Sequence, residues 1–385
     1  MGSCIFEIHF HQEKDGTKIT DSSKNIREKG ENDFFSFTSS KTNEKEKEQI
    51  IKNKLNEKIP EIGKIIHMKD YEASVNQNIL SYISNNKLNY KNYLQEDLIT
   101  YKSFPIKFKN NNIYYGNWNE NNEMEGYGIY YLNEQKVVTE GVWNKGNIKF
   151  GRIFFKNGDI YEGEMKNSVP HGKGKITFFN KDSYNGDFIM GEMTGNGTYI
   201  FSDKTTYTGG IKNGLFNGIG KMKWSNGNEY NGNFVDSTLC GKGKIFNIQG
   251  EEYEGNFDKN EFHGEGNYIF NNGEQYEGNY EYGIKKGNGK YKKNDNIIFE
   301  GVWNDDLPNG NGTIHYEGNI LKVFWRNGNL IGNPEIIEGN INNFNNIDLN
   351  IGYIKANINP NSLPHISTND TNISLYTQNN DLNFV

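Results

Sequence analysis

Two cysteines, Cys4 and Cys240, are all that the 385 residues contain. Two thiols far apart make neither a disulfide framework nor a metal site. No stretch is long and apolar enough to span a bilayer, and the N-terminus lacks the apolar core of a secretory leader. An intracellular, reducing location is therefore expected, which makes triplets such as Asn196-Gly197-Thr198 incidental as glycosylation signals. Excess positive charge is also missing. The net charge of −7 divides into +2 over residues 1–112, −5 over 113–332 and −4 over 333–385. No segment carries the basic footprint of a nucleic-acid binder or of a broad grip on anionic lipid. Proline is scarce, and apolar residues make up only 34% of the chain. Aromatics at 14% offset this, because each ring removes a large area from water. Asparagine and lysine are abundant, much of which reflects an AT-rich genome.

Catalytic constellations are missing as well. His171 and His263 occupy the same slot of a repeat and have no partners, while His9 and His11 alternate without further ligands; a histidine pair alone is a poor metal site. Glu162, Glu254, Glu277 and Glu300 recur at one register and belong on a wet face. The many Gly-x-Gly pairs lack the third glycine and helix of a dinucleotide loop, and no Gly-Lys-Ser/Thr closes a phosphate loop. The expectation is a non-enzyme with no cofactor and no metal.

What is present is a repeat. Gly128, Gly151, Gly174, Gly197, Gly220, Gly243, Gly266, Gly289 and Gly312 step by 23 residues without exception, the mark of a tandem array. A second series runs beside it: Tyr161/Gly163, Tyr184/Gly186, Tyr207/Gly209, Tyr230/Gly232, Tyr253/Gly255 and Tyr276/Gly278, with outlying copies at Tyr114/Gly116, Thr139/Gly141 and Phe299/Gly301. Another glycine precedes each tooth of the comb by two residues, except at Lys149. Spacings of two are strand spacings, since residues i, i+2 and i+4 share a face. Asn157-Gly158, Asn226-Gly227 and Asn272-Gly273 read as turns in which both residues accept positive φ. Each unit is then two strands of five to six residues. The motif glycines leave room for a ring from the next unit to cover the backbone, and the first glycine of Gly-x-Gly suits a bulge. Spacing slips in the first two units are expected in loops.

The pattern Tyr-x-Gly-x-Trp/Phe followed by Gly-x-Gly-x-apolar at 23 residues resembles the MORN repeat. The resemblance covers about residues 113–332 as nine units and a degraded tenth at Leu321–Trp325. It implies a mostly β, elongated, single-layer antiparallel sheet of tandem hairpins, with many similar shallow sites in a line. It also implies a scaffold or tether for protein partners at a membrane or cell cortex, with a homodimer in view. Direct recognition of phospholipid headgroups, or regulation of a partner enzyme, are the alternatives.

Around the array, residues 1–42 read as flexible. Residues 43–112 read as helical: one helix with Ile50, Ile51, Leu55 and Ile59, a second after Asp70 with Val75, Ile79, Leu80 and Ile83, and a third from Tyr90 to Tyr101. These either cover the first edge strand, the third above all, or form a partner-binding arm. Residues 333–385 read as an Asn-rich tail, mostly disordered. Gly2 and Cys4 form a partial signal for myristoylation and palmitoylation, with Phe6 where Ser or Thr is usual; two acyl chains would anchor the protein stably at a plasma or cortical membrane. Finally, Arg152, Lys175, Lys221, Lys244 and Lys290 each follow a comb glycine. They form either a candidate basic contact row on one face of the array or a solvated strand face on which lysine keeps the sheet soluble.

Overall fold

The computed structural model describes residues 63–90, 101–102, 105–294 and 297–339, with positions 49, 53, 57, 93 and 351 besides. Among these residues, 24 strands join one antiparallel sheet. From Ile113–Trp118 to Asn319–Arg326 every strand pairs with the next in the chain. A typical unit has a strand of 7 residues, Glu252–Asp258, and one of 9, Glu261–Ile269. Both are longer than the five to six residues expected, because the turns take up fewer residues than the glycine content suggests.

The two glycine series meet. Gly255 lies opposite Gly266 within its hairpin, and opposite Gly243 across the junction to the preceding one. The same pairing holds at every step from Gly116 to Gly312, so one line of glycines crosses the whole sheet; Val323 ends it. A ring does cover every pair except Gly141 and Gly151, but, contrary to expectation, it comes from the same unit. The Tyr253 hydroxyl and ring sit 2.5 and 2.7 Å from where a Cβ on Gly255 would be, and the ring blocks a Cβ on Gly266 as well. The same correction applies to Gly163, Gly186 and Gly209. They lie under Tyr161, Tyr184 and Tyr207 of their own strands, and not under a ring of the following unit. The cause is the strand period. A side chain two residues upstream on the same face leans along the strand and reaches its own glycine first.

Each tyrosine hydroxyl then donates to the carbonyl three residues on: Tyr207 to Gly210 at 2.7 Å, Tyr253 to Asn256 at 2.8 Å, Tyr276 to Asn279 at 3.1 Å. That carbonyl lies where the ladder shifts register, between Gly255 and Phe257 for example. The phenol supplies the donor that the bulge takes away. The first glycine of Gly-x-Gly has positive φ throughout, as at Gly264 (φ 66°) and Gly310 (φ 104°). This agrees with the expected bulge. The expectation left out the facing strand, where the ladder shifts just after Gly163, Gly186 and Gly209. These three glycines thus border the bulge as well as making room for a ring.

Two expectations about turns need correction. In the loops at one end a single residue is left-handed, the glycine at Gly158 (φ 94°) and Gly227 (φ 92°) and a lysine at Lys181 (φ 76°) and Lys204 (φ 79°). The asparagine before the glycine instead accepts from the backbone two residues on, Asp159 N to Asn157 Oδ1 at 3.1 Å, an Asx-turn. Turns with two left-handed residues sit at the other end, at Asn167-Ser168, Asp236-Ser237 and Lys259-Asn260. The spacing slips also divide differently. The extra residue of the first unit does lie in a turn, between Trp118 and Met124. The missing residue of the second lies within a strand: Val142 pairs Phe150 and Trp143 pairs Ile148, leaving Lys149 as a shorter bulge. A shorter bulge needs no left-handed glycine, which is why lysine is accepted there. Thr139 is too small to cover Gly141, and Ile148 Cδ1 takes the place of the ring.

The core is one cluster along the sheet, built from Tyr161, Tyr184, Tyr207, Tyr230, Tyr253, Tyr276 and the Phe, Trp and Ile residues around them. Edge-to-face contacts link successive units: Tyr230 with Phe257 at 5.2 Å, Tyr253 with Tyr280 at 5.3 Å, Tyr276 with Trp303 at 5.0 Å. This is the favoured arrangement for aromatic quadrupoles.

The flanks differ more. The helix expected after Asp70 is two helices, α1 (Met68–Ser74) and α2 (Gln77–Asn85), because Asn76 caps the second by accepting from Asn78 N at 2.9 Å. Of the third expected helix, Tyr90 is not helical, residues 91–92 and 94–100 lie outside the described residues, and Tyr101–Lys102 is a strand on Asn117 and Trp118. That strand and Ile106–Phe108 cover the edge of Ile113–Trp118, so strand pairing does what was expected of a helix. Of the first expected helix, positions 49, 53 and 57 are helical, and the remainder lies outside the described residues. At the far end Glu335–Glu338 adds a strand on Ile320–Lys322 where a patternless tail was expected, and Ile351 is buried in the core cluster. The other expectations for the tail, for residues 1–42, and for Gly2 and Cys4 fall outside the described residues.

Candidate binding groove on the open face

The sheet has two faces. One carries the rings over the glycine line. The other carries residues beside the glycines, and it differs between the two ends. Over the first units it is apolar (Ile113, Tyr127, Ile129, Tyr131, Val138 and Phe154) and lies beneath Tyr71, Val75 and Ile83 of the helical segment. Tyr71 packs on Tyr115 at 5.6 Å, Tyr82 on Phe154 at 5.6 Å and Tyr93 on Phe150 at 4.1 Å.

Arg152 belongs to this covered region and not to the open row. It is 5% exposed and bonds Glu162 at 2.6 Å; it meets Glu140 at 3.5 Å and also donates to the carbonyl of Asn86 at the end of α2. Burial raises the Glu140 carboxyl above its usual range, against the lowering effect of the Tyr127 hydroxyl and Arg152; Tyr127 donates to it at 2.6 Å. The cluster is an internal clasp between array and helices, with ion pairs whose partners are needed once buried.

The four lysines stand on the open face. Lys175 lies cross-strand from Glu162 and Asn185. Lys221 pairs with Glu229 at 2.6 Å, Lys244 with Glu252 at 2.5 Å and Glu254 at 3.4 Å, and Lys290 with Glu300 at 3.0 Å. Hydrogen bonding to Lys221 and Lys223 holds Glu229 below the usual carboxylate range, and Glu252 holds Lys244 above the usual lysine range. The row is thus a ladder of opposite charges rather than a cationic stripe, each exposed pair contributing about 0–1 kcal/mol.

Along the later units the open face forms a groove of about 1350 Å³. Its floor is glycine backbone from Gly243 to Gly312. The repeat-defining glycines of the earlier units, Gly163, Gly174, Gly186, Gly197, Gly209 and Gly220, do not line it. One wall is the charge ladder, with Lys244, Glu254, Glu277, Lys290 and Glu300. The other is mostly asparagine: Asn256, Asn279, Asn288 and Asn311. Asn256 Nδ2 donates to the Glu265 carbonyl at 3.2 Å and Asn279 Nδ2 to the Asn288 carbonyl at 3.2 Å. Sequence reasoning missed this second wall by assigning the asparagines to base composition. The signal was there, because Asn233, Asn256 and Asn279 step by the same 23 residues as the glycines. Among the described residues no cluster of three or more His, Cys, Asp and Glu could hold a metal, and no helix is long and apolar enough to cross a membrane.

A family model for the MORN repeat matches residues 114–134, 161–183, 184–206, 207–229, 253–275, 276–297 and 299–319. The chain is a MORN-repeat protein. The two intervals between the matches, 135–160 and 230–252, form hairpins with the same glycine pairing, Gly141 opposite Gly151 and Gly232 opposite Gly243. MORN-repeat chains are repeat-based binding or scaffold proteins, and that coarse role extends to this one. No match is found among curated proteins. Among solved structures, this MORN protein is similar to the TCP10 domain of Danio rerio CPAP in complex with a peptide of Danio rerio STIL (10% identity, 55% of this chain and 95% of that one, TM-score 0.27). It is also similar to the CPAP G-box domain (12%, 51% and 97%, TM-score 0.27) and the TCP10c domain of Drosophila melanogaster Sas-4 (15%, 44% and 93%, TM-score 0.23). Scores this low carry no argument about what the array does.

Proposed function

We propose that this protein is a non-enzymatic scaffold that holds segments of partner proteins in the groove on its open face. The observation that carries the reading is the contrast along one face. Over the first units the chain's own helical segment lies on the sheet, whereas from Asn231 to Lys322 the same face is an open groove. The face accepts polypeptide where its side chains are apolar, and is left polar and uncovered elsewhere. Such a linear series of similar shallow sites favours avidity over a single tight contact. Affinity purification of the full chain, set against an Asn256→Arg/Asn279→Arg/Asn288→Arg variant, tests this. Partners that depend on the groove are expected to be lost, and an unchanged partner set would refute the groove as the binding surface.

Anchorage at a plasma or cortical membrane through acylation of Gly2 and Cys4 is part of the same proposal. It predicts that Gly2→Ala moves the protein from the membrane fraction to the soluble one. Direct headgroup recognition has less support, because carboxylates pair with Lys221, Lys244 and Lys290 and Arg152 is buried.

A further inference from the structure

The groove repeats with the hairpins beneath it, and this period constrains what can lie in it. Each unit contributes two strands, and neighbouring strands lie about 4.7–4.9 Å apart, so equivalent positions recur every ~9.6 Å along the groove. A ligand running along it meets Glu254, Glu277 and Glu300 in turn on one side, and Asn256 and Asn279 in turn on the other.

Three backbone geometries can be set against that interval. An α-helix rises about 1.5 Å per residue, so one unit spans ~6.4 residues, which is no whole number of turns; the contacting face rotates away from one unit to the next. A β-strand at about 3.3 Å covers three residues per unit, but its side chains alternate, so successive units meet opposite faces. Polyproline II rises about 3.1 Å with three residues per turn, and its pitch of ~9.3 Å brings every third residue back to the same face at each unit. It alone matches both spacing and facing.

Resting on the groove as the binding surface, we infer that its occupant is a partner segment in the polyproline II conformation, with a side-chain pattern that repeats every three residues. The chemistry agrees. A polyproline II backbone makes no internal hydrogen bonds and keeps its carbonyls available. Asn256 and Asn279 each spend one Nδ2 hydrogen on a neighbouring carbonyl and have a second hydrogen and an acceptor to offer. The ion pairs of Lys244 with Glu254 and Lys290 with Glu300 leave the wall with balanced charge, which is complementary to an uncharged segment. From the strand of Asn231 to that of Lys322 the groove extends about 38 Å by strand spacing, which ~12 residues of polyproline II fill.

The test is selection of random twelve-residue peptides on the full chain, with counter-selection on Asn256→Arg/Asn279→Arg/Asn288→Arg and, as a milder second variant, Asn256→Ala/Asn279→Ala. Thermal melts confirm that both variants fold. The expected binders show a three-residue period and a polyproline II circular dichroism spectrum. Their affinity rises about tenfold or more as triplets are added from two to four, by the logic of linked sites, and falls at least as much in the arginine variant. Groove-dependent binders that are helical, or that alternate with period two, overturn the inference and leave the scaffold reading standing. A failure to select any groove-dependent peptide overturns both.

Discussion

Tyr253 shows how one side chain does three jobs in this array. It fills the core, prevents its glycine pair from being anything but glycine, and donates to the Asn256 carbonyl that the bulge would otherwise leave unpaired. Tyr253→Phe removes only the last and should cost about 1 kcal/mol, the net worth of one such bond. The natural Phe299 in the same slot shows that the fold accepts the loss. Tyr253→Ala should cost about 3–5 kcal/mol. Gly255→Ala should be comparably severe, since its Cβ would fall 2.5 Å from the Gly266 Cα. Gly250→Ala, with φ 86° and nothing within 4 Å, meets only left-handed strain of about 1–2 kcal/mol. Chemical denaturation of the four variants checks the order. Lys285 is the opposite case: a lysine, 2% exposed, in a slot where Phe262 and Leu239 stand in neighbouring units. It lies 5.0 Å from the Phe270 ring, 5.2 Å from Tyr276 and 5.6 Å from Trp303. Burial pushes its ammonium down to about 8, against the fields of Asp306 and Glu274. The unfolded chain then holds more protons than the folded one between pH ~8 and ~10.4, so stability rises with pH across that window. Above pH ~10 the tyrosines act the other way: burial raises Tyr253 and Tyr276 above their ordinary value, and stability falls as the unfolded phenols ionise. Lys285→Leu should abolish the rise and stabilise the protein below pH 8 by about 3 kcal/mol at most. Urea melts at pH 7, 8, 9 and 10 on both proteins would show a flat difference if this is mistaken.

At the scale of elements, the strands were legible because their period of two survives in every unit, and the glycine comb placed them in register. Which ring covers Gly163, Gly186 or Gly209 was not legible, because a repeat period is the same whether a side chain reaches back within its unit or across to the next. Nor could it be read which turn took which chemistry. Asn-Gly pairs suggested left-handed pairs of residues; Asn213-Gly214 and Asn327-Gly328 are such pairs, but Asn157-Gly158 and Asn226-Gly227 are not, while Lys259-Asn260 and Asp305-Asp306 adopt them with no glycine. The tight two-residue loop there is imposed by the lengths of the paired strands, a tertiary constraint that no dipeptide records. The groove was half legible. Its lysine wall could be listed from the comb, but Arg152 shares that register and is buried, because the helical segment returns to cover only the first units. The expected effect of undoing that return is specific. Val75→Asp/Ile83→Asp should detach α1 and α2 and expose Tyr127, Ile129 and Phe154. An uncovered apolar face of this kind invites association. Light scattering should show oligomers in the variant, and a species of unchanged size would show that the helices are not what keeps this face covered.

Across the whole molecule, stability should behave as a chain of neighbour contacts, because each hairpin touches only those beside it. The rings show where the chain is strongly and weakly linked. Edge-to-face pairs run unbroken from Tyr207 with Phe234 to Phe299 with Trp325, each adding about 0.5–1.5 kcal/mol beyond burial. Before that series, Ile211 stands in the slot that Phe188, Phe234 and Phe257 fill elsewhere and offers Tyr184 no ring, so this junction relies on the wider contacts of Phe216 with Tyr199 at 6.0 Å and Phe201 at 6.2 Å. The array should therefore unfold as two cooperative blocks that meet near the strand Thr206–Lys212. Amide hydrogen exchange on Gly255→Ala distinguishes this from a single cooperative unit. Protection should fall throughout residues 207–326 and stay close to wild type over 113–189, since a block that unfolds locally leaves its weakly coupled neighbour folded. A uniform loss of protection from end to end would mean that the backbone ladder, which continues through the seam without interruption, couples the hairpins more strongly than their rings do.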